Sequence, residues 1–405
     1  MAGFEHALAV ELDIHACNTL RANRAAWKVA EGDAASPAVW QPASYQDIDL
    51  LAGGVPCPPF TVAGKQLGAA DERDLFAWAV ELCGVLRPRA LLLENVRGLS
   101  TGRFAAYRQH VLDRLRELGY IAQWRLLQAS DYGVPQLRPR FVLVAMRPQD
   151  APWFSWPETG GQPEEHMAPR SVGETLADLM GARGWRGTAR WARGAAAIAP
   201  TIVGGSKKHG GADLGPTRAK RAWAKLGVNG LSVADAPPSA ADPPGLVPKL
   251  TCEMVARLQG WQDSWGWEFT GGKTARYRQI GNAFPPPVAQ AVGTSIHRAL
   301  CHDGEPHPLV EHTEPVHDPV YMVLRSHGGF LSVDQIAAAV SLDRGEELDP
   351  PAVERHISHL SRDFEVEIAQ RAHGPAYRIR RFRAFLGQQG HARHEQFLRN
   401  RARIS

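Results

Sequence analysis

Short apolar runs alternate with helix-like stretches through the first 150 residues. Ala7-Leu8-Ala9-Val10 followed by Glu11-Leu12-Asp13 has the pattern of a strand with carboxylates at its tip. Such an acid holds ribose hydroxyls in nucleotide-binding α/β sheets, or else caps the next helix. Residues 18–30 read as a helix, and Glu31-Gly32-Asp33 closes the next unit. A strand over 48–52 leads into a Gly/Pro-rich turn. A helix over 74–86 puts Leu75, Trp78, Ala79 and Leu82 on one face, with Pro88 as its stop. A strand over 90–93 ends at Glu94, a helix spans 104–118, and strands follow at 123–127 and 141–145. This βα repetition predicts a mostly parallel sheet.

The pattern breaks down between residues 152 and 248, where Gly, Pro and Trp accumulate, and a loop-rich module is expected. Helices at 251–259 and 287–300 return the chain to the sheet. After a Pro/His-rich linker at 302–317, a last module reads as three helices and a hairpin. Its helices are a first over 319–326, a second opened by the capping box Ser332-Val333-Asp334-Gln335, and a third capped by Asp349 with Pro350 at its first position. Strands at 364–368 and 376–379 meet through Gly374-Pro375. Three helices then a hairpin is the winged-helix order, with Arg355, His356, His359 and Arg362 facing outward on the third helix. A small helical interaction domain is the other reading. The expected organisation is 1–150 catalytic, 151–250 recognition, 251–301 return to the catalytic domain, 302–317 linker and 318–405 winged-helix-like.

Composition narrows this picture. With 405 residues, 44% apolar and 22% charged, the chain can fill two or three ordinary cores. No run of about 18 apolar residues marks a membrane span, and the N-terminus lacks a signal pattern, so a cytoplasmic protein is expected. The five cysteines (Cys17, Cys57, Cys83, Cys252, Cys301) include no C-x-x-C pair, which disfavours disulfides and a zinc site. Net charge is only +4, but it is unevenly spread. Residues 181–225 hold ten Lys/Arg against Asp213 alone, and residues 370–405 hold nine arginines against Glu395 alone. Two basic blocks suggest two polyanion contacts, or two solvated basic faces.

The candidate chemistry centres on Gly53-Gly54-Val55-Pro56-Cys57-Pro58-Pro59-Phe60, which presets a thiol at the end of a strand. A lone cysteine is more often an inert small hydrophobe. The loop, and Glu94 at the tip of a second buried strand, set Cys57 apart from the other four. Gly54-Val55-Pro56-Cys57, Glu94-Asn95-Val96, Gln136-Leu137-Arg138-Pro139-Arg140 and Gln279-Ile280-Gly281-Asn282-Ala283 occur in the order found in DNA cytosine-5 methyltransferases. Over roughly the first 300 residues the chain resembles that family.

The resemblance implies an α/β, Rossmann-like S-adenosylmethionine-dependent methyltransferase with a loop-rich target-recognition region, here carrying a small winged-helix-like C-terminal domain. It makes Cys57 the nucleophile on C6 of a flipped-out cytosine. Glu94 would serve N3 with a carboxyl pKa raised by burial, and Arg138 and Arg140 would steady the thiol loop, the base and its phosphate. The cofactor would meet Glu11 at the ribose, Leu12 at the adenine face and Asp33 at the adenine amino group, with Leu75 and Asn282 lining the cleft. Family members begin with a Phe-x-Gly-x-Gly loop. This sequence opens on Met1-Ala2-Gly3-Phe4, just after that loop's place, so a truncated start is expected. Where the family's ninth motif commonly has Arg-Glu, this chain has Glu253-Met254. The expected partner is double-stranded DNA, gripped by residues 206–211 and 218–225. A restriction endonuclease of the same system would act without a stable complex. A tRNA cytosine-5 methyltransferase and a catalytically silent DNA-binding regulator are the competing readings.

Overall fold

The first apolar run becomes β1 (Ala9–Glu11), paired in parallel with β2 (Val29–Glu31) so that Glu11 lies beside Glu31. The computed structural model describes residues 2–55, 75–158, 170–204, 211–308, 318–345, 347–371 and 374–382. Between the two strands, α1 (Ile14–Asn23) starts before residue 18 and stops well short of residue 30. The Asp13 carboxylate accepts from the His15 amide at 2.9 Å and fixes the start. At the other end Val29 joins the β1 ladder, and Trp27 stacks on His6 with ring centroids 4.2 Å apart. This βαβ piece belongs to a unit of residues 1–41, 127–140 and 153–306. A second unit holds residues 42–126, 141–152 and 307–405.

The second unit contains β3 (Leu50–Gly54), α2 (Leu75–Leu86), β4 (Ala90–Val96) and α3 (Ala105–Glu117), with most of β5 (Ile121–Gln128) and β6 (Pro139–Met146). Its strand order is β3-β4-β6-β5, with β3 and β4 parallel. The β3–β4 pairing is parallel, as the βα repetition predicts. The strands β1 and β2 form their own two-stranded ladder. From Ala90 to Asn95 every residue of β4 is buried, as a strand covered on both faces requires. Ion pairs lock the flanks. Arg89 holds the fully buried Asp150 at 2.6 and 3.2 Å, and Arg114 of α3 holds Glu81 of α2 at 2.6 and 2.8 Å.

Between residues 152 and 250 the chain is more regular than its Gly/Pro content implies. It forms α4 (Val172–Gly181), α5 (Thr188–Gly194) and α6 (Thr217–Lys225). A capping box between Ser171 and Glu174 starts α4. Trp185, Trp191 and Trp223 are buried with Val172, Leu176 and Met180 in a core of the first unit. Two of the indoles also pin loops, Trp185 donating to the Pro243 carbonyl and Trp191 to that of Gly227, both at 3.0 Å. Next come α7 (Cys252–Leu258), α8 (Lys273–Asn282) and α9 (Pro286–Leu300). No apolar stripe announces α8, because only Tyr277, Ile280 and Gly281 are buried in it. On α9, His297 meets Phe4 edge-on at 5.2 Å. Among the described residues no helix is long and apolar enough to cross a membrane.

The C-terminal module follows the order α10 (Pro319–His327), β7 (Leu331–Ser332), α11 (Val333–Arg344), α12 (Pro350–Asp363), β8 (Phe364–Arg371) and β9 (Gly374–Phe382). Asp318, Ser332 and Asp349 cap its helices through their side chains. The two-residue β7, too short to read from sequence, completes an antiparallel sheet with β9 in the centre. Arg355 and His359 are exposed as expected, but His356 turns back to share a 3.0 Å hydrogen bond with Asp318. The side chain of Arg362 lies outside the described residues.

Among the described residues this module shares its core with the neighbouring helices. Val320, Leu324, Ile336, Val353, Leu360, Phe364 and Phe382 join one cluster with Phe76, Tyr107 and Val111 of α2 and α3. Inside that junction, His110 is pushed down from its ordinary 6.5 to about 3, by burial first and then by the Arg325 and Arg114 guanidiniums. Below pH 6.5 the unfolded chain takes up a proton there that the folded chain refuses. This contribution to stability is therefore lost progressively as pH falls from about 6.5 towards 3, by up to about 1.4 kcal/mol per unit. Urea midpoints between pH 7 and 5 should fall more steeply for the natural chain than for His110→Phe.

Candidate active site

In the second unit, β3 brings Gly54 into register with Glu94 of β4. A Cβ on Gly54 would stand 3.5 Å from Glu94 Oε2, so the main chain of β3 runs beside the carboxylate. Glu94 is 8% exposed and Asn95 2%, which places an acid at the end of an otherwise apolar strand. The turn after it, residues 97–101, is held by a residue that no motif marked. Arg108 of α3, itself buried, donates to the Leu99 carbonyl at 2.6 Å and the Thr101 carbonyl at 2.7 Å. Cys57 lies outside the described residues, three positions beyond Gly54. Of the other thiols, burial raises Cys17 and Cys252, and it pushes Cys83 up to about 12. These three stay protonated near neutral pH and are poor nucleophiles.

In the first unit, Glu11, Leu12 and Asp33 gather at the tips of β1 and β2. One Glu11 oxygen accepts from the Asp13 amide at 2.7 Å, and one Asp33 oxygen accepts from the Ala35 amide at 2.9 Å. A carboxylate offers about four lone-pair sites, so both acids keep acceptor capacity. Leu12, adjacent to Glu11, is 46% exposed. Two acceptors with an uncovered aliphatic side chain suit a nucleoside, whose diol and amino group donate and whose base is flat and apolar-faced. Leu75 belongs to the second unit, where it opens α2 partly buried. Asn282 ends α8 with its side chain against Gly204, where an added Cβ would come within 2.3 Å of its Oδ1.

Arg138 and Arg140 do not share one environment with free guanidiniums. Arg138 is 1% exposed and donates to the Ile202 and Gly281 carbonyls at 2.6 Å and to Ala283 at 3.3 Å. It holds main chain at three carbonyls. Arg140 is buried and donates to the Pro139 carbonyl at 2.9 Å. Beside Arg138, fully buried Gln136 donates to Gln259 and to the Leu258 carbonyl at 3.2 Å, and it accepts from the Ile202 amide at 2.9 Å. Gln259 in turn donates to the Ile280 carbonyl at 3.0 Å. The Gln136–Arg140 and Gln279–Ala283 motifs thus meet in one polar knot. Gly281 packs on Gly204 so closely that a Cβ would fall 2.5 Å from the Gly204 Cα. Gln279 reaches Thr19 of α1 at 2.7 Å. Gln136 and Gln279 stood within recognisable motifs, whereas Gln259, Thr19 and Arg108 carried no signal beyond being polar.

The basic blocks differ from each other. In the first, Arg218, Arg221 and Lys225 of α6 are exposed and meet no carboxylate among the described residues, while Lys220 pairs with Asp213 at 3.1 Å. In the second, Glu367 binds both Arg378 and Arg380, each through Nε at 2.9 Å. Residues 205–210 and 383–405 lie outside the described part.

Residues 1–298 match the C-5 cytosine-specific DNA methylase family, and the chain belongs to it. It is a DNA cytosine-5 methyltransferase with the α/β fold of that class. The Type II methyltransferase M.NaeI of Lentzea aerocolonigenes is 59% identical over 404 residues, covering 100% of this chain and 95% of that protein. M.NgoMIV of Neisseria gonorrhoeae, also a Type II methyltransferase, is 47% identical over 302 residues, 74% of this chain and 92% of that one.

Replacing Arg138 by Lys keeps the charge but loses the fork that spans three carbonyls, leaving buried acceptors unpaired. Chemical denaturation of Arg138→Lys should show a loss of about 3 kcal/mol.

Proposed function

We propose that this protein is the modification enzyme of a restriction–modification system. In this reading it transfers the methyl group of S-adenosylmethionine to C5 of a cytosine swung out of duplex DNA, with Cys57 as nucleophile. The observation that carries the reading is the buried Glu94 in register with Gly54, three residues ahead of the one cysteine set in a Gly/Pro loop. Relatives named as Type II methyltransferases support the biological setting. A cognate endonuclease would share the DNA site without forming a stable complex.

C5 of cytosine is a weak nucleophile. Attack of the Cys57 thiolate on C6 makes a C–S bond and turns C5 into an enamine-like carbon, while Glu94 donates a hydrogen bond or proton at N3 to hold the charge that develops. S-adenosylmethionine supplies an electrophilic methyl group on a sulfonium. Glu11 and Asp33 would accept from its ribose hydroxyls and adenine amino group, Leu12 would cover the adenine face, and Leu75 and Asn282 would complete the cleft. Once C5 carries the methyl group, a base removes its proton, the C6–S bond breaks, and the thiolate leaves. Arg140 would steady the thiol loop and the phosphate. Arg138 would act at one remove, by fixing the main chain around Ile202 and Gly281.

For DNA recognition, α6 is the best-supported element. Arg218, Arg221 and Lys225, three and four residues apart, form one basic stripe with Trp223 anchored beneath. Such a stripe reads phosphates, and base contacts would come from the loops beside it.

Tritiated methyl transfer should be abolished in Cys57→Ala, together with the covalent adduct on a duplex carrying 5-fluorocytosine. In Glu94→Gln, kcat should fall at least about 100-fold with DNA affinity retained. Methyl transfer to tRNA rather than DNA, or full activity in Cys57→Ala, would overturn this reading. Arg218→Ala/Arg221→Ala should weaken DNA binding alike on all sequences and lower the slope of log K against log salt by about 2.

A further inference from the structure

We infer that the C-terminal module positions the catalytic carboxylate by clamping α3, whose Arg108 holds the turn that follows Glu94. This rests on the reading of Glu94 given above. The module is fastened to α3 in two ways. Its aromatic residues cover one side of the helix: Phe382 stacks on His110 at 4.5 Å between ring centroids and meets Tyr107 at 5.4 Å, and Phe364 meets His110 edge-on at 5.5 Å. A turn further along, Arg325 of α10 pairs with Asp113 at 2.6 Å and with Glu117 at 3.7 Å, braced by the Tyr321 hydroxyl. Asp113 is only 11% exposed and also accepts from Gln109 at 2.9 Å, so the pair is part of the packed junction rather than a solvated surface contact.

Arg108 stands between these contacts in sequence, next to Tyr107 and two residues from His110. Its position along and around α3 decides whether its guanidinium reaches the Leu99 and Thr101 carbonyls. Those carbonyls belong to the turn that continues directly from Glu94-Asn95-Val96. A helix released on its aromatic side can rotate or slide by a fraction of an ångström, and shifts of about 1 Å at a reacting group cost up to about 100-fold in rate. On β9, Glu367 takes up Arg378 and Arg380. The module packs on α3 through Phe382, Phe364 and Arg325.

The test uses the full chain. Phe382→Ala and Arg325→Ala remove the two fastenings, and Phe382→Leu and Arg325→Lys restore part of each. Hydrogen exchange of residues 97–101 should quicken at least 10-fold in the Ala variants, with α4 to α6 unchanged. kcat should fall 5- to 20-fold while KM for DNA and for S-adenosylmethionine stays within 2-fold, and the conservative variants should recover at least half of the loss. If Phe382→Ala does not fold, Arg325→Lys and Asp113→Asn carry the same readouts in smaller measure. Unchanged exchange at 97–101 overturns the inference. So does a raised KM for DNA at constant kcat, which would make the module a DNA contact. Should Glu94→Gln prove fully active, the role of Glu94 fails, while the exchange data still judge the clamp on its own.

Discussion

A guanidinium sealed from water and donating to three main-chain carbonyls is the constraint on which the first unit depends. Arg138 cannot shed its charge, and burying it without partners would cost several kcal/mol. The fold answers by bringing the carbonyls of Ile202, Gly281 and Ala283 to it. Those carbonyls come from separate stretches of chain, so satisfying one side chain fixes the stretch around Ile202 and the end of α8 together. Gln136 and Gln259 extend the same logic with neutral groups, each using both its donor and acceptor ends or several donors. In a dry interior a network of this kind specifies one arrangement, because any slip leaves several polar groups unpaired at once.

The second unit repeats the device. Arg108 is buried, donates to two carbonyls, and fixes the turn after Glu94. In both units an arginine donates to main-chain carbonyls near residues assigned to the chemistry. This is a reason to separate residues that react from residues that hold. Arg138 sits in a family motif as firmly as Glu94 does, and its hydrogen bonds to the Ile202 and Gly281 carbonyls fit the role of a positioning residue proposed for it above.

Much of this was legible in the sequence where local rules act alone. The apolar run Leu91–Leu93, the cap residues Ser332 and Asp349, and the carboxylates after β1 each signal their element within a few residues. What escaped reading depends on distant partners. The helix α8 is polar along most of its length and is stabilised by Thr19, Gln259 and Arg138 from elsewhere in the chain. The strand β7 has two residues and exists only because β9 offers an edge. The helix α1 starts earlier than its apolar pattern suggests because Asp13 caps it, its carboxylate accepting from the His15 amide. Residues 152–248 read as loop-rich because glycine and proline hide short helices, two of which bury a single tryptophan. The clamp by Arg108 had no sequence signature, since a surface arginine on a helix reads the same.

Charge shows the same limit from the other side. Counting residues made the two basic blocks look alike, and only the positions of carboxylates separate them. On α6 the stripe of Arg218, Arg221 and Lys225 meets no acid among the described residues, so its field reaches solvent and can exchange condensed counterions on DNA for protein cations. On β9 two arginines close onto Glu367, which sits opposite on β8 with Glu367 and Arg378 in register. Cross-strand pairing of this sort stabilises a hairpin and removes its charge from long-range attraction. A basic sequence attracts a polyanion only to the extent that folding leaves the charges unspent. By that criterion, among the described residues, the α6 stripe is the better candidate to meet the phosphates, and β9 is built first to hold its own sheet together.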